Sequence, residues 1–225
     1  MKRYELKFIM TEEMLFEFKH FIGINGFLNN YPDRKVNSLY FDNYTFDGIN
    51  DNLSGISNRK KIRLRWYSEN KDFNNPILEI KKRNGRISGK DKFNLKNIST
   101  KELYYENSGE ITRRVFDNLK NNHSHTFLYS EYYHPILLVN YNREYLDKSG
   151  IRITLDSKIN FRNIVSHKTI NYFKEKKYNN YILEIKFPLE MKRDVSDLIR
   201  KLNLNPQRHS KYLIGTSILG YSLYV

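Results

Sequence analysis

The chain has no cysteine. That excludes disulfides, thiolate metal ligands and a cysteine nucleophile, and leaves the redox compartment open. Its six histidines show no HExxH spacing and read as surface or core residues. Glycine is sparse, at ten residues, and forms no Walker loop; Gly85 and Gly89 read as turn glycines. No run approaches the roughly 18 apolar residues that cross a bilayer. The most apolar stretch, Tyr212 to Val225, is short and interrupted by glycine, serine and threonine, which suits a packed terminal helix. Met1-Lys2-Arg3 leads into Glu5 and Lys7 rather than an apolar h-region, so no secretory signal and a cytoplasmic location are expected.

Acidic residues are also in short supply. Lys and Arg number 39 against 25 Asp and Glu, a formal charge of +14 in 225 residues. Such an excess favours a polyanion as partner: nucleic acid, polyphosphate, a nucleotide or an anionic membrane surface. The bland alternative is a basic soluble protein with no such ligand. The length can bury a sizeable core, and no linker, repeat or low-complexity block marks a boundary, so a single domain over 1–225 is expected.

What is present is alternation. In Lys61-Ile62-Arg63-Leu64-Arg65-Trp66 the cations occupy every second position. On a β-strand, Lys61, Arg63 and Arg65 then project from one face and Ile62, Leu64 and Trp66 from the other. The pattern returns at Arg3 to Lys7, Glu79-Ile80-Lys81, Tyr141-Asn142-Arg143, Arg152 to Asp156 and Glu184-Ile185-Lys186. Taken alone, one such strand is a solvated sheet face. Several together describe a surface for a polyanion, with a few carboxylates placed to hold a metal ion.

The elements follow from periodicity and punctuation. A strand over Arg3 to Met10 runs into a helix capped by Thr11, with Met14, Leu15, Phe18 and Phe21-Ile22 as its apolar stripe. Val36 to Asp42 is a strand with Leu39 and Phe41 on one face and Ser38 and Tyr40 on the other; a polar, turn-rich segment follows to Asn58. Strands are expected at Lys61–Tyr67 and Ile77–Lys82, with Asn84-Gly85 as a hairpin turn into Arg86–Leu95. Ser99-Thr100-Lys101-Glu102 resembles a capping box opening a helical region to about Lys120. Strands follow from Ile136 to Tyr145, Ile151 to Asp156, Ile159 to Ile164 and Tyr181 to Phe187, with Lys148-Ser149-Gly150 a turn. Helices are expected over Asp194–Leu202 and from Lys211 onward, the last capped by Ser210. This order predicts an α+β protein: a closed antiparallel β-barrel with a cationic lumen, decorated by outer helices and a C-terminal helix. Charged faces would line a wet, anion-filled interior, because so many enclosed cations would otherwise repel one another and lose hydration.

These motifs resemble the triphosphate tunnel metalloenzyme (CYTH-like) superfamily, and within it the VTC-type polyphosphate polymerase domain. The resemblance covers essentially the whole chain. It rests on Arg-Tyr-Glu-Leu-Lys-Phe at 3–8, Ser-Leu-Tyr-Phe-Asp at 38–42, Lys-Ile-Arg-Leu-Arg at 61–65, Leu-Glu-Ile-Lys at 78–81 and again at 183–186, Tyr-Asn-Arg at 141–143, Arg-Ile-Thr-Leu-Asp at 152–156 and Ser-Lys-Tyr at 210–212. It implies a tunnel in which the γ-phosphate of ATP passes to a growing polyphosphate chain with release of ADP. By position in the motifs, Lys7, Arg63, Arg65, Lys81, Arg143, Arg152 and Lys211 would grip the reacting phosphates. Lys61, Tyr141, Lys186, Ser210 and either Lys90 or Lys92 would contact phosphate. Glu184, with Glu5, would hold Mn²⁺ or Mg²⁺. No nucleic-acid partner is implied; relatives couple synthesis to a membrane channel, so a membrane-protein partner is.

The chemistry agrees. Phosphoryl transfer needs alignment and charge neutralisation more than covalent help. Arginine offers a rigid two-point fork to phosphate, lysine a mobile point charge. The hydrolytic members of the superfamily open with Glu-x-Glu-x-Lys, whereas this chain has Arg3 at the first position and Lys186 after Glu184. Exchanging carboxylates for cations weakens the case for a triphosphatase and favours gripping a long polyanion. It fits a catalytically idle polyphosphate binder equally well. For Glu5, Glu79 and Glu184 the plain reading is pairing with neighbouring cations, and for the tyrosines it is strand packing.

Overall fold

The computed structural model describes residues 3–67, 76–85, 87–122 and 133–222. The elements run β1 (Arg3–Met10), α1 (Glu12–Ile24), β2 (Arg34–Asp42), α2 (Asp47–Leu53), β3 (Asn58–Tyr67), β4 (Ile77–Asn84), β5 (Ile87–Asn94), α3 (Ser108–Asn122), β6 (His134–Lys148), β7 (Ile151–Asn163), β8 (Lys176–Tyr178), β9 (Tyr181–Pro188), α4 (Lys192–Lys201) and α5 (Lys211–Ile218). This is the expected α+β class. No helix among the described residues is long and apolar enough to cross a membrane.

The chain divides into two compact units. The first comprises 1–35, 141–159 and 177–210, with strand order β1-β9-β7-β6. Antiparallel register sets Phe8 opposite Leu183, and Leu183 opposite Leu155. Alternation then puts Phe8, Met10, Leu183, Ile185, Phe187, Ile153 and Leu155 on one face, and α1 and α4 cover it with Phe18, Ile22, Val195 and Leu198. Each such side chain taken out of water contributes about 1.5–3 kcal/mol. Thr11 caps α1 as the sequence predicts, its hydroxyl accepting the Met14 N–H at 3.4 Å. Ser149 (φ 48°) and Gly150 (φ 88°) supply the paired left-handed conformations of a two-residue hairpin turn between β6 and β7.

The second unit comprises 36–140, 160–176 and 211–225, with strand order β6-β2-β3-β4-β5. Its core face carries Leu39, Phe41, Ile62, Leu64, Trp66, Leu78, Ile80 and Phe93, covered by Ile111, Val115, Phe116 and Leu119 of α3. In both units, therefore, helices cover the apolar face of the strands and leave the charged positions on the opposite face. In α5, Gly215 is required by close packing: a Cβ there would stand 2.7 Å from Phe161 Cδ1 and 2.8 Å from Leu137 Cδ2.

Three local expectations change. The turn-rich segment after Asp42 contains α2, whose first turn is held by the Asp42 carboxylate and by Asn43 Oδ1 accepting the Asp47 N–H at 2.9 Å. The helical region from Ser99 is a 3-10 turn at Glu102–Tyr104 followed by α3. Its capping box is Asn107 and Glu110: Asn107 Oδ1 accepts from Gly109 and Glu110, and Glu110 accepts the Asn107 N–H at 2.8 Å. The two strands expected between Ile151 and Ile164 are one, β7, with Lys158 (φ 50°) interrupting its regular backbone. Arg86, the expected first residue of β5, and Asn74-Asn75 lie outside the described residues.

Candidate anion-binding faces

In the first unit, Glu5 pairs in register with Lys186, Lys7 with Glu184, Arg152 with Lys186 and Thr154 with Glu184. All share the face opposite the apolar core. Two lysines and two carboxylates interlock there. Lys7 Nζ lies 3.1 Å from Glu5 and 3.7 Å from Glu184, while Lys186 Nζ lies 3.3 Å from Glu5 and 2.5 Å from Glu184. Burial pushes the Glu184 carboxyl up, but Lys7, Lys186 and Arg143 together hold it at about 2. Arg143 forks onto Asp156 through Nε and Nη2, and the Tyr141 ring centroid is 5.3 Å from its guanidinium carbon. Burial works against the Arg143 charge, and Tyr141 and Asp156 outweigh it, raising its pKa well above the ordinary value. Arg152 is exposed beside Lys186 on β7. The Lys7 ammonium also donates to the His209 carbonyl at 3.4 Å, and the Lys7 carbonyl accepts from Gln207 at 2.8 Å, so β1 holds the segment that ends at Ser210.

In the second unit, Ser38 lies opposite Arg65, Tyr40 opposite Arg63, Arg63 opposite Glu79, Lys61 opposite Lys81, Lys81 opposite Lys90 and Glu79 opposite Lys92. The choice between Lys90 and Lys92 dissolves: two residues apart on one strand, they share this face. At its centre Glu79 takes Arg63 at 2.6 Å, Lys90 at 2.9 Å and Arg65 at 3.9 Å. Burial raises the Glu79 carboxyl, and Arg63, Arg65 and Lys90 overcome this to hold it at about 2. Arg65 Nε donates to Ser38 Oγ at 3.3 Å and Arg63 Nη1 to the Tyr40 hydroxyl at 3.3 Å. Lys61 lies over the Tyr212 ring, 5.6 Å from its centroid. Lys211 opens α5, and Ser210 is the residue just before it.

Among the described residues no group of three or more His, Asp and Glu could hold a metal ion. The pair expected to do so, Glu184 and Glu5, is instead bridged by Lys7 and Lys186. The donor set still fits an ion that arrives with its phosphates, since Mg²⁺ usually needs only one or two carboxylates besides phosphate and water. One further atom supports that fit: the buried Thr154 hydroxyl, register partner of Glu184, has no hydrogen-bond partner among the described residues. His123-Ser124-His125 is an HxH spacing, and it lies outside the described residues, as does the side chain of Arg3.

Glu79 gathers three cations, the pairing expected of it. Two site residues escape a motif reading: Asp156 orients Arg143, and Tyr40 lies beside Arg63. Strand parity places each on its charged face, but which cation each meets depends on register between strands distant in sequence.

The chain matches the VTC domain over residues 2–220. It is 25% identical, over 167 residues, to vacuolar transporter chaperone complex subunit 2 of Saccharomyces cerevisiae; the match covers 64% of this chain and 20% of that protein. Among solved structures it resembles a Hippeastrum protein assigned as an adenylyl cyclase and found to have a dominant triphosphatase activity, with TM-score 0.61, 14% identity and 96% of each chain covered. A Bacillus halodurans protein assigned as an adenylate cyclase gives TM-score 0.54 at 15% identity, covering 95% of this chain and 98% of that one. A conserved Pyrococcus furiosus protein gives 0.52 at 12%, covering 93% and 98%. At these identities the structural likeness speaks for the fold. That fold is the triphosphate tunnel (CYTH-like) one, and the match over nearly the whole length establishes that the chain belongs to the VTC domain family.

Proposed function

We propose that this chain is an ATP-dependent polyphosphate polymerase, transferring the ATP γ-phosphate to a growing polyphosphate chain and releasing ADP. The observation that carries the reading is the separation of faces. In each unit, helices bury the apolar side of the strands, and the other side presents lysine and arginine at alternate positions around a carboxylate held ionised. Arg63, Arg65, Lys81 and Lys90 in one unit and Lys7, Arg143, Arg152 and Lys186 in the other supply forks and point charges for phosphate oxygens. Glu184 and Glu5 would hold a divalent ion, Mn²⁺ or Mg²⁺, whose contribution is charge neutralisation on those oxygens. The end of a polyphosphate chain is already an ionised nucleophile, so no dedicated base is needed. A partner subunit belongs to the same proposal, on the relative's membership of a complex.

A second reading, a polyphosphate binder without turnover, is favoured by one observation: Lys186 Nζ lies 2.5 Å from Glu184, on the carboxylate a metal would use. The test incubates the protein with ATP and Mn²⁺, with and without a short polyphosphate primer, and resolves the products on a gel. A phosphatase-sensitive ladder with ADP, lost in Arg65→Ala and Lys211→Ala, establishes the polymerase. Orthophosphate without a ladder indicates a hydrolase, and retention of polyphosphate without turnover indicates the binder.

A further inference from the structure

Tyr40 stands in an unusual position for a packing tyrosine. It lies on β2 with its side chain on the charged face, in register with Arg63, and is 6% exposed. Its ring stacks on Tyr212 at 4.9 Å and 26°, and the Tyr212 hydroxyl is in turn anchored to Asp42 at 2.7 Å. Its hydroxyl oxygen accepts from Arg63 Nη1, and Arg63 is itself fixed by Glu79. The phenol proton has no acceptor among the described residues. A buried O–H with nothing to donate to is costly, and the groups around it are mostly cations, which cannot accept.

We infer that Tyr40 is a direct ligand of the bound phosphate, donating its phenol O–H to a phosphate oxygen held by Arg63 and Arg65. This rests on the phosphate-binding reading above and adds to it a neutral donor at a defined place in the cationic face. The stacked ring and the Glu79-held guanidinium fix the hydroxyl before the ligand arrives, so little ordering remains to be done on binding.

The geometry carries a pH signature. The charged and titratable groups facing Tyr40 are Lys61, Arg63 and Arg65 from β3, Glu79 and Lys81 from β4, Tyr212 from α5 and, on its own strand, Asp42. Burial opposes ionisation of the phenol, but Arg63, Arg65 and Lys81 outweigh it and bring the pKa down to about 8. Glu79 is ionised throughout this range, and burial and Asp42 push Tyr212 well above its usual value, so neither follows Tyr40. Above pH 8 the free protein loses the donor and gains an anion where phosphate must sit. Phosphate binding then has to restore the proton.

The experiment measures the affinity of the full chain for inorganic tripolyphosphate by calorimetry from pH 6.5 to 9, for wild type and Tyr40→Phe, in two buffers of different ionisation enthalpy. Phenylalanine keeps the ring stack, and thermal unfolding checks that the fold is retained. The expected result is affinity about tenfold weaker for Tyr40→Phe at pH 7, for one lost hydrogen bond to a charged group. Above pH 8 the two affinities converge, because wild type falls by about tenfold per pH unit relative to the variant and takes up a proton that the variant does not. The ligand's own titration is common to both proteins and cancels. Superimposable profiles overturn the inference while leaving phosphate binding standing. Wild type that fails to bind tripolyphosphate at any pH overturns both.

Discussion

Arg143 grips Asp156 with two nitrogens, Nε at 2.5 Å from Oδ1 and Nη2 at 2.7 Å from Oδ2. Asp156 is wholly buried, so this fork is its compensation for losing water, and it sets the guanidinium plane on the charged face of the first unit. Arg143→Ala removes the forked cation from a buried carboxylate and is expected to lose about 3–5 kcal/mol of stability in denaturant unfolding. Arg143→Lys keeps the charge and loses the fork. It should recover part of that stability but not the tripolyphosphate affinity, since a single ammonium cannot hold Asp156 and phosphate in the same plane. Wild-type affinity in Arg143→Lys would show that the fork has no part in binding.

Glu79 and Glu184 predict an acid limb. Both fall from the ordinary 4.5 to about 2 in the folded chain. A depressed carboxyl contributes stability above its unfolded pKa and loses it as pH falls towards its folded one, so the loss runs between about pH 4.5 and pH 2. Each group contributes up to roughly 3 kcal/mol over that window. Urea midpoints taken from pH 6 downward should drop steeply there, and Glu79→Gln should flatten the drop while lowering stability at pH 6. Equal slopes for wild type and variant would mean that Glu79 is not held ionised by Arg63, Arg65 and Lys90.

Asp42 predicts an order of effects. Its carboxylate accepts from the backbone of Asn43 at 2.9 Å, Gly48 at 2.9 Å and Ile49 at 3.0 Å, and from the Tyr212 hydroxyl at 2.7 Å. Tyr212→Phe removes one hydrogen bond and should cost about 1 kcal/mol. Asp42→Ala removes all of them, strips the start of α2 of its acceptor and should cost about 3 kcal/mol. Thermal unfolding of the two variants tests the order; a larger loss in Tyr212→Phe would place the stabilisation in the aromatic stack instead.

The charged faces were legible because a strand's period of two is imposed by the backbone. Lys61, Arg63 and Arg65 cannot alternate with Ile62, Leu64 and Trp66 and share their side of the sheet. The same logic puts Ser38 and Tyr40 opposite Leu39 and Phe41, yet it assigns Tyr40 no function, since packing is the usual role of a strand tyrosine. Its proximity to Arg63 is a fact of β2–β3 register, which two short segments do not encode separately. Asp156 is the same case across the β6–β7 hairpin. The short α2 was hidden for another reason: its composition is that of a turn, and its first turn is secured by Asp42 and Asn43 rather than by an apolar stripe.

The displaced start of α3 can be tested directly, because two capping boxes compete in the sequence. Ser99-Thr100-Lys101-Glu102 has the favoured residue types, but Ser99 leads only into the 3-10 turn at Glu102–Tyr104. Asn107 does the capping. Its Oδ1 accepts the Gly109 N–H at 3.0 Å and the Glu110 N–H at 3.1 Å, and Glu110 returns the contact to the Asn107 N–H. α3 supplies Ile111, Val115 and Leu119 to the core of the second unit, so fraying at its start loosens buried side chains as well as backbone. Asn107→Ala should therefore cost about 1–2 kcal/mol, and Ser99→Ala no more than about 0.5 kcal/mol. Denaturant unfolding of both variants reads the difference; equal losses would return the start of the helix to Ser99.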